Sequence, residues 1–272
     1  MTRAFVLTNH KGGVGKSTSA TNIALGITGL LRQVGAKNPR VLLIDTDSQS
    51  HATLVTTGRA DFDTTDSLYS VLMADRQSAP QVMADVIVQS HWDENLHVLP
   101  ASPLLEQAER ELQSTAGAPY RLADPLARLA PHYAAIVIDT RPSFSLMTEM
   151  ALVAATDAIV PVEPRYLETV GLMSVIGKIN DIRDGWRIQN LRVSGVLVTK
   201  MDKRVRGHHN MLNELKAHPT LGKLLCGIIP MNEAVSYAHR HHKSIFSQDP
   251  KAAASRAYAH LVGRLVKQIG GA

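Results

Sequence analysis

Phe5-Val6-Leu7-Thr8, followed at once by Asn9-His10-Lys11-Gly12-Gly13-Val14-Gly15-Lys16-Ser17-Thr18, sets a short apolar run directly ahead of a glycine-rich loop. Residues 17–31 then carry apolar positions at helical spacing, so the local order is strand, loop, helix. Glycines let successive backbone N–H groups turn inward onto phosphate oxygens, and a helix N-terminus adds partial positive charge at the same point. Lys16 sits where an ammonium reaches the β- and γ-phosphates, and the Ser17 hydroxyl can ligate Mg²⁺. His10 occupies the place of the first glycine in the usual Walker A spacing, and an additional lysine, Lys11, precedes the glycine pair. Residues 10–18 are therefore expected to cradle ATP with its Mg²⁺.

Further apolar, β-branched runs recur at 41–44, 136–138, 158–162, 193–198 and 226–229. Helical spacing marks 103–112, 167–182 and 251–269 between or after them. Continuous apolar strands separated by helices predict a parallel sheet covered on both faces. Right-handed crossovers then give an α/β fold with a single doubly wound, mostly parallel sheet and helices on both faces. No low-complexity linker or internal repeat divides the chain, so 1–272 is expected to form one domain. The segment 58–90 is more polar and less periodic, and is expected to be surface structure.

Ligands in such sheets bind beyond the carboxyl ends of the strands. The second run ends in Asp45-Thr46-Asp47-Ser48-Gln49 and a later one in Asp139-Thr140. Phosphoryl transfer needs a carboxylate near Mg²⁺ and a group that orients the attacking water. Asp139, after Ile136-Val137-Ile138, has the form of a Walker B carboxylate. A lone strand-end aspartate is often only a helix cap or a turn residue. Three of them at strand ends beside a phosphate loop favour the chemistry.

Composition narrows the class. A 44% hydrophobic and 19% charged chain of 272 residues is an ordinary globular protein. The single cysteine, Cys226, lies in an apolar run and excludes an internal disulfide or a multi-cysteine metal site within one chain. No signal peptide is visible, and the longest apolar stretch, 151–162, is interrupted by Asp157 and falls short of the ~20 residues that a span requires. A soluble, cytoplasmic protein is expected. The net charge of +5 permits contact with nucleic acid or an acidic membrane without establishing either.

Taken together, the motifs resemble the ParA-type ATPases of the deviant Walker A class, which also contains MinD and the nitrogenase iron protein. Residues 11–18 match that family's KGGVGK[ST]T loop, and Asp45-Thr46-Asp47-Ser48-Gln49 resembles its DxDPQ segment with Ser48 in place of proline. Asp139-Thr140-Arg141-Pro142-Ser143 resembles its DTPPS segment with Arg141 in place of the first proline. Val160-Pro161-Val162-Glu163-Pro164, Ile229-Pro230-Met231-Asn232 and Asp249-Pro250-Lys251 resemble its later strand ends and C-terminal segment. The resemblance implies a P-loop fold in which Lys11, Gly12, Gly13, Val14, Gly15, Lys16, Ser17 and Thr18 bind nucleotide, with Pro230 and Asn232 near the adenine. It implies that Lys11 crosses to the partner's phosphates in an ATP-sandwiched homodimer. It implies that Ser17, Asp45 and Asp139 serve the metal, and that Asp47 positions the hydrolytic water.

Such proteins bind DNA nonspecifically as ATP dimers and release it when a ParB-like activator triggers hydrolysis, which implies a nucleoid-associated location. Basic material for that contact is present at Lys200, Lys203, Arg204 and Arg206, at Arg240 and Lys243, and at Arg256, Arg264 and Lys267. The loop begins close to residue 1, so no N-terminal helix-turn-helix domain and no sequence-specific operator binding are expected. Three rival readings stand beside this one. A MinD-like ATPase would bind a membrane through the apolar and basic tail at 261–269. A redox protein like the nitrogenase iron protein is excluded by the lone Cys226. A module that binds nucleotide without hydrolysis is opposed by Asp47 and Asp139, although the changes at Ser48 and Arg141 keep it open.

Overall fold

Apolar side chains on both faces of a strand require cover on both faces, and this requirement shapes the molecule. The computed structural model describes residues 2–164 and 169–270; the first two residues of the helix expected at 167–182 lie outside them. Its strands are β1 (Arg3–Leu7), β2 (Val41–Asp45), β3 (Val88–Gln89), β4 (Leu96–Leu99), β5 (Ala135–Asp139), β6 (Asp157–Val162), β7 (Arg192–Met201) and β8 (Leu225–Pro230). They form one sheet in the order β3-β4-β2-β5-β1-β6-β7-β8. Every pairing is parallel except the short antiparallel edge between β3 and β4.

Alternate residues feed two cores, as strand geometry dictates. Val6, Leu42, Ile44, Ile136, Ile138 and Val160 face one side, where helices such as Leu105–Leu112, Leu146–Val153 and Thr169–Gly185 cover them. Phe5, Leu7, Val41, Leu43, Val137 and Ile159 face the other side, beneath the helices Lys16–Gln33 and Ala253–Gly270. In the terminal helix Leu261, Val262 and Leu265 are buried in this second core, and Val266 and Ile269 pack against it. Cys226 is buried there too, its thiol donating to the Val196 carbonyl at 3.3 Å. Burial pushes that thiol up to about 12, so it is an inert core residue.

The segment 58–90 departs from its expected surface role. It contains the helices Leu68–Met73 and Ala79–Val86, whose Leu68, Val71, Leu72, Met83 and Val86 enter the first core. These helices are six and eight residues long, too short for their periodicity to stand out against polar flanks. Strand β4 is only four residues long and interrupted by His97, so no apolar run marks it in the sequence.

The two helices over the second core approach closely at Gly26, where an added methyl would stand 2.6 Å from Val262 Cγ2 and 3.3 Å from the Phe246 ring. Alanine is the better helix former by about 1 kcal/mol. Overpacking costs roughly 1–3 kcal/mol, so Gly26→Ala is expected to lose about 1 kcal/mol net in urea denaturation.

Candidate nucleotide-binding and active site

Strand β1 lies at the point where the sheet order reverses, between β5 and β6, and the loop at 8–15 leaves its carboxyl end. Gly13 and Gly15 adopt φ of +74° and +81°, left-handed conformations that a side chain would strain. Gly15 leads into the helix Lys16–Gln33, so unpaired helix N–H groups face the loop. The buried Lys16 folds back so that Nζ donates to the Lys11 carbonyl at 2.9 Å. The loop is also held from outside. Asn9 accepts from the Lys11 N–H at 3.0 Å and donates to the Pro161 carbonyl at 2.8 Å. Thr199 Oγ1, on β7, donates to the Val14 carbonyl at 2.9 Å.

The register carries the carboxylates to the same edge. Asp45 pairs with Asp139 across β2 and β5, and Leu7 pairs with Asp139 across β1 and β5. Asp45 Oδ2 accepts from the Thr53 N–H and hydroxyl, both at 2.8 Å, and Oδ1 accepts from the Asp47 N–H at 3.0 Å. Asp47 Oδ1 in turn accepts from the Gln49 N–H at 3.0 Å. Asp139 differs. It is fully buried, and neither carboxylate oxygen closes a hydrogen bond. Ser17 lies near enough to favour its ionised form without reaching hydrogen-bonding geometry.

Charge sunk in a low-dielectric site moves each titrating group against its charged state. Burial raises Asp139 well above the usual carboxylate range, and the neighbouring Asp45 raises it further, against the pull of Ser17 and Lys16. Burial likewise raises Asp45, opposed by the three donors from Thr53 and Asp47. Burial lowers the Lys16 ammonium, opposed by Asp139 and Asp47. A hard divalent cation takes oxygen ligands and inverts such a balance, so an orphaned buried carboxylate beside a serine hydroxyl fits Mg²⁺.

A cavity of about 400 Å³ opens over the loop and brings together Gly12, Gly13, Gly15, Lys16, Ser17, Thr18 and Asp47. Lys11 and Val14 line a separate, smaller recess, and Asp45 and Asp139 are buried beneath the loop region rather than lining the cavity. Pro230 and Asn232 stand apart from this cavity, at the end of β8 and the cap of the helix Glu233–Arg240. The cavity adds Gln49, His51, Pro142, Lys200 and His239, which sequence reasoning missed as site residues. Lys200 is the last residue but one of strand β7. There the ladder shifts register, Lys200 takes φ +51°, and Nζ reaches the Gly13 carbonyl and pairs with Glu163 at 2.5 Å. Such an irregularity re-aims a side chain. Lys200 thus belongs to the phosphate loop and not to the outer basic cluster.

A glycine loop after β1 in a doubly wound sheet, with carboxylates after β2 and β5, defines a P-loop nucleotide-binding fold. The AAA domain family model matches residues 2–193. The chain is 32% identical over 263 residues to the sporulation initiation inhibitor protein Soj of Bacillus subtilis, covering 96% of this chain and 97% of that one. It is 33% identical over 270 residues to the chromosome partitioning protein ParA of Caulobacter vibrioides, covering 98% and 94%. Among solved structures, cobyrinic acid a,c-diamide synthase from Mycobacterium smegmatis, with bound ATP analog and magnesium, superposes with a TM-score of 0.76 at 26% identity, covering 98% and 96%. The chain belongs to the ParA/Soj family of deviant Walker A partition ATPases.

An unpaired buried carboxylate destabilises the protein that carries it. Asp139→Asn is therefore expected to melt at a higher temperature than the wild type in a metal chelator at neutral pH. A carboxyl with a raised folded-state pKa is penalised above that pKa and relieved below it. The gap in melting temperature should accordingly close as the pH falls through the raised value for Asp139.

Proposed function

We propose that the protein is a Mg-ATP-dependent ATPase that dimerises on ATP and binds DNA without sequence preference in that state. With a ParB-like partner it positions or segregates a DNA or protein cargo. The observation that carries this reading is the meeting of Lys16, Ser17 and Asp47 in one cavity over the buried Asp139. Loop amides from Gly12 to Thr18 and the Lys16 ammonium hold the phosphates. Ser17 and Asp139 take the metal, with Asp45 behind them, and bound Mg²⁺ would neutralise charge on the phosphate oxygens. Asp47 orients the attacking water, its backbone fixed by its own N–H on Asp45. Lys11, which lines the smaller recess, serves the phosphates of a second protomer. Asn232 keeps its Oδ1 on the Ala234 N–H at 2.9 Å, so its amide N–H₂ is the side that would meet an adenine near Pro230.

For DNA, the exposed turn after β7 offers Lys203, and the helix that follows begins with the exposed Arg206. Arg204 beside them grips Asp202 through Nε at 3.0 Å and Nη2 at 2.8 Å, and this pairing pulls Asp202 down to about 2. Its charge is largely answered within the chain. Arg240, over the Tyr237 ring at 5.9 Å, and Lys243 form a second exposed group. The membrane alternative is weaker, because the apolar face of the terminal helix is buried against its own sheet.

Titration with Mg²⁺ and a fluorescent ATP analogue should saturate for the wild type, and Lys16→Ala should weaken that affinity roughly 10–100-fold through loss of charged hydrogen bonds. Asp47→Ala should bind within about threefold of wild type yet hydrolyse on the order of 100-fold more slowly. Normal hydrolysis by Asp47→Ala would remove the water-positioning role. In DNA retention assays with ATP, Lys203→Ala and Arg206→Ala should each flatten the log–log salt slope by about 0.9 per contacted phosphate. Arg204→Ala should change it least of the three.

A further inference from the structure

The two positions at which the loops depart from the family pattern, Ser48 and Arg141, are held by one and the same helix. Ser48 Oγ donates to Glu106 Oε1 at 3.0 Å, and Arg141 Nη1 donates to Glu109 Oε2 at 2.8 Å. Glu106 and Glu109 are three residues apart on the helix Leu105–Leu112, hence neighbours on one face. The adjoining face, through Leu105, Ala108 and Leu112, is anchored in the first core.

Glu109 does more than pair with Arg141. Its Oε1 accepts from the Met147 N–H at 3.4 Å, in the first turn of the helix Leu146–Val153. That helix has Ser145 at its cap position, yet the serine side chain makes no capping bond, and the Ser143 and Ser145 hydroxyls are buried without partners. A carboxylate from another helix thus supplies the missing cap and the favourable charge at a helix N-terminus. The same stretch of chain reaches the other loop a second time. The Ala101 N–H donates to Thr53 Oγ1 at 2.9 Å, and that hydroxyl donates to Asp45.

Topology explains why one segment can do this. The chain leaves β4, two places from β5, and its next helix lies on the face shared by β2 and β5, across the ends from which both carboxylate loops depart. A proline at 48 or 141 would stiffen its loop by fixing φ. Serine and arginine give up that stiffness and gain side chains that can be tethered.

We infer that the segment 101–112 is a bracket that sets Asp47 and Asp139 relative to each other, with Glu106 and Glu109 as its positioning residues. The inference rests on the ATPase reading above. The bracket acts on the hydrolytic step more than on nucleotide binding, because the phosphate loop is held separately by Asn9, Thr199 and Lys200.

The test measures the affinity for a fluorescent ATP analogue with Mg²⁺, single-turnover hydrolysis and the melting temperature for each variant. Glu106→Ala and Glu109→Ala are expected to keep affinity within about twofold while hydrolysis falls roughly fivefold or more, since small misplacements of a reacting geometry carry large rate penalties. Glu106→Gln retains an oxygen for the Ser48 hydroxyl and should stay within about twofold of the wild-type rate. Ser48→Ala combined with Glu106→Ala should lose no more than either alone, the mark of one shared contact. Unchanged hydrolysis in both alanine variants, affinity lost in step with rate, or full additivity of Ser48→Ala and Glu106→Ala would each overturn the bracket. A well-folded wild type that takes up no nucleotide would overturn the ATPase reading instead, and the same titration reports it. Ser48→Ala and Glu106→Gln, which remove little bulk, keep the test decisive should an alanine at Glu109 unfold the loop.

Discussion

Two carboxylates buried side by side at the ends of adjacent parallel strands are the constraint around which this molecule is arranged. Asp45 and Asp139 share a register position on β2 and β5, and both are shut off from water. Like charges in such a place oppose each other and oppose burial. The fold answers Asp45 with the three donors from Thr53 and Asp47, and it leaves Asp139 with a lysine and a serine near but no bond. One carboxylate is satisfied and structural. The other has both oxygens buried without a hydrogen-bond partner, a state that a bound cation would relieve.

The phosphate loop above these carboxylates is held rigidly. The rigidity comes from the half of the sheet opposite the carboxylates. Asn9 ties the loop to β6 through Pro161, and Thr199 and Lys200 tie it to β7. The left-handed backbone at Lys200 is a local strain accepted where it aims an ammonium at the loop. The loop thus sits at the switch point of the sheet with carboxylate loops on one flank and clamps on the other.

Much of this was legible in the sequence, for reasons of scale. Strands buried on both faces write unbroken apolar runs, which is why β1, β2, β5, β6, β7 and β8 could be read and the short β3 and β4 could not. The phosphate loop was legible because its function needs glycines and lysines at fixed spacing, whatever surrounds them. Lys200 and His239 were not, since each reaches the cavity from an element distant in sequence, and only the register of β7 and the turn of a late helix bring them there. In the sequence Arg204 stands as one of a basic cluster available to DNA, because no periodicity announces its bidentate grip on Asp202, two residues away.

Ser48 and Arg141 show how a departure from a motif can mislead when only the backbone is considered. Read as lost prolines, they suggest slack loops. In space each loop is held by a side-chain bond to the helix Leu105–Leu112, so stiffness intrinsic to the backbone has been exchanged for stiffness borrowed from a neighbour. The two kinds differ in one physical respect. A proline ring cannot let go, whereas the Arg141–Glu109 pair keeps about a quarter of its arginine side chain and about a fifth of its glutamate side chain in solvent, so water can compete for it. Loops held in this way can be fixed in one state and released in another without any change in the core beneath them.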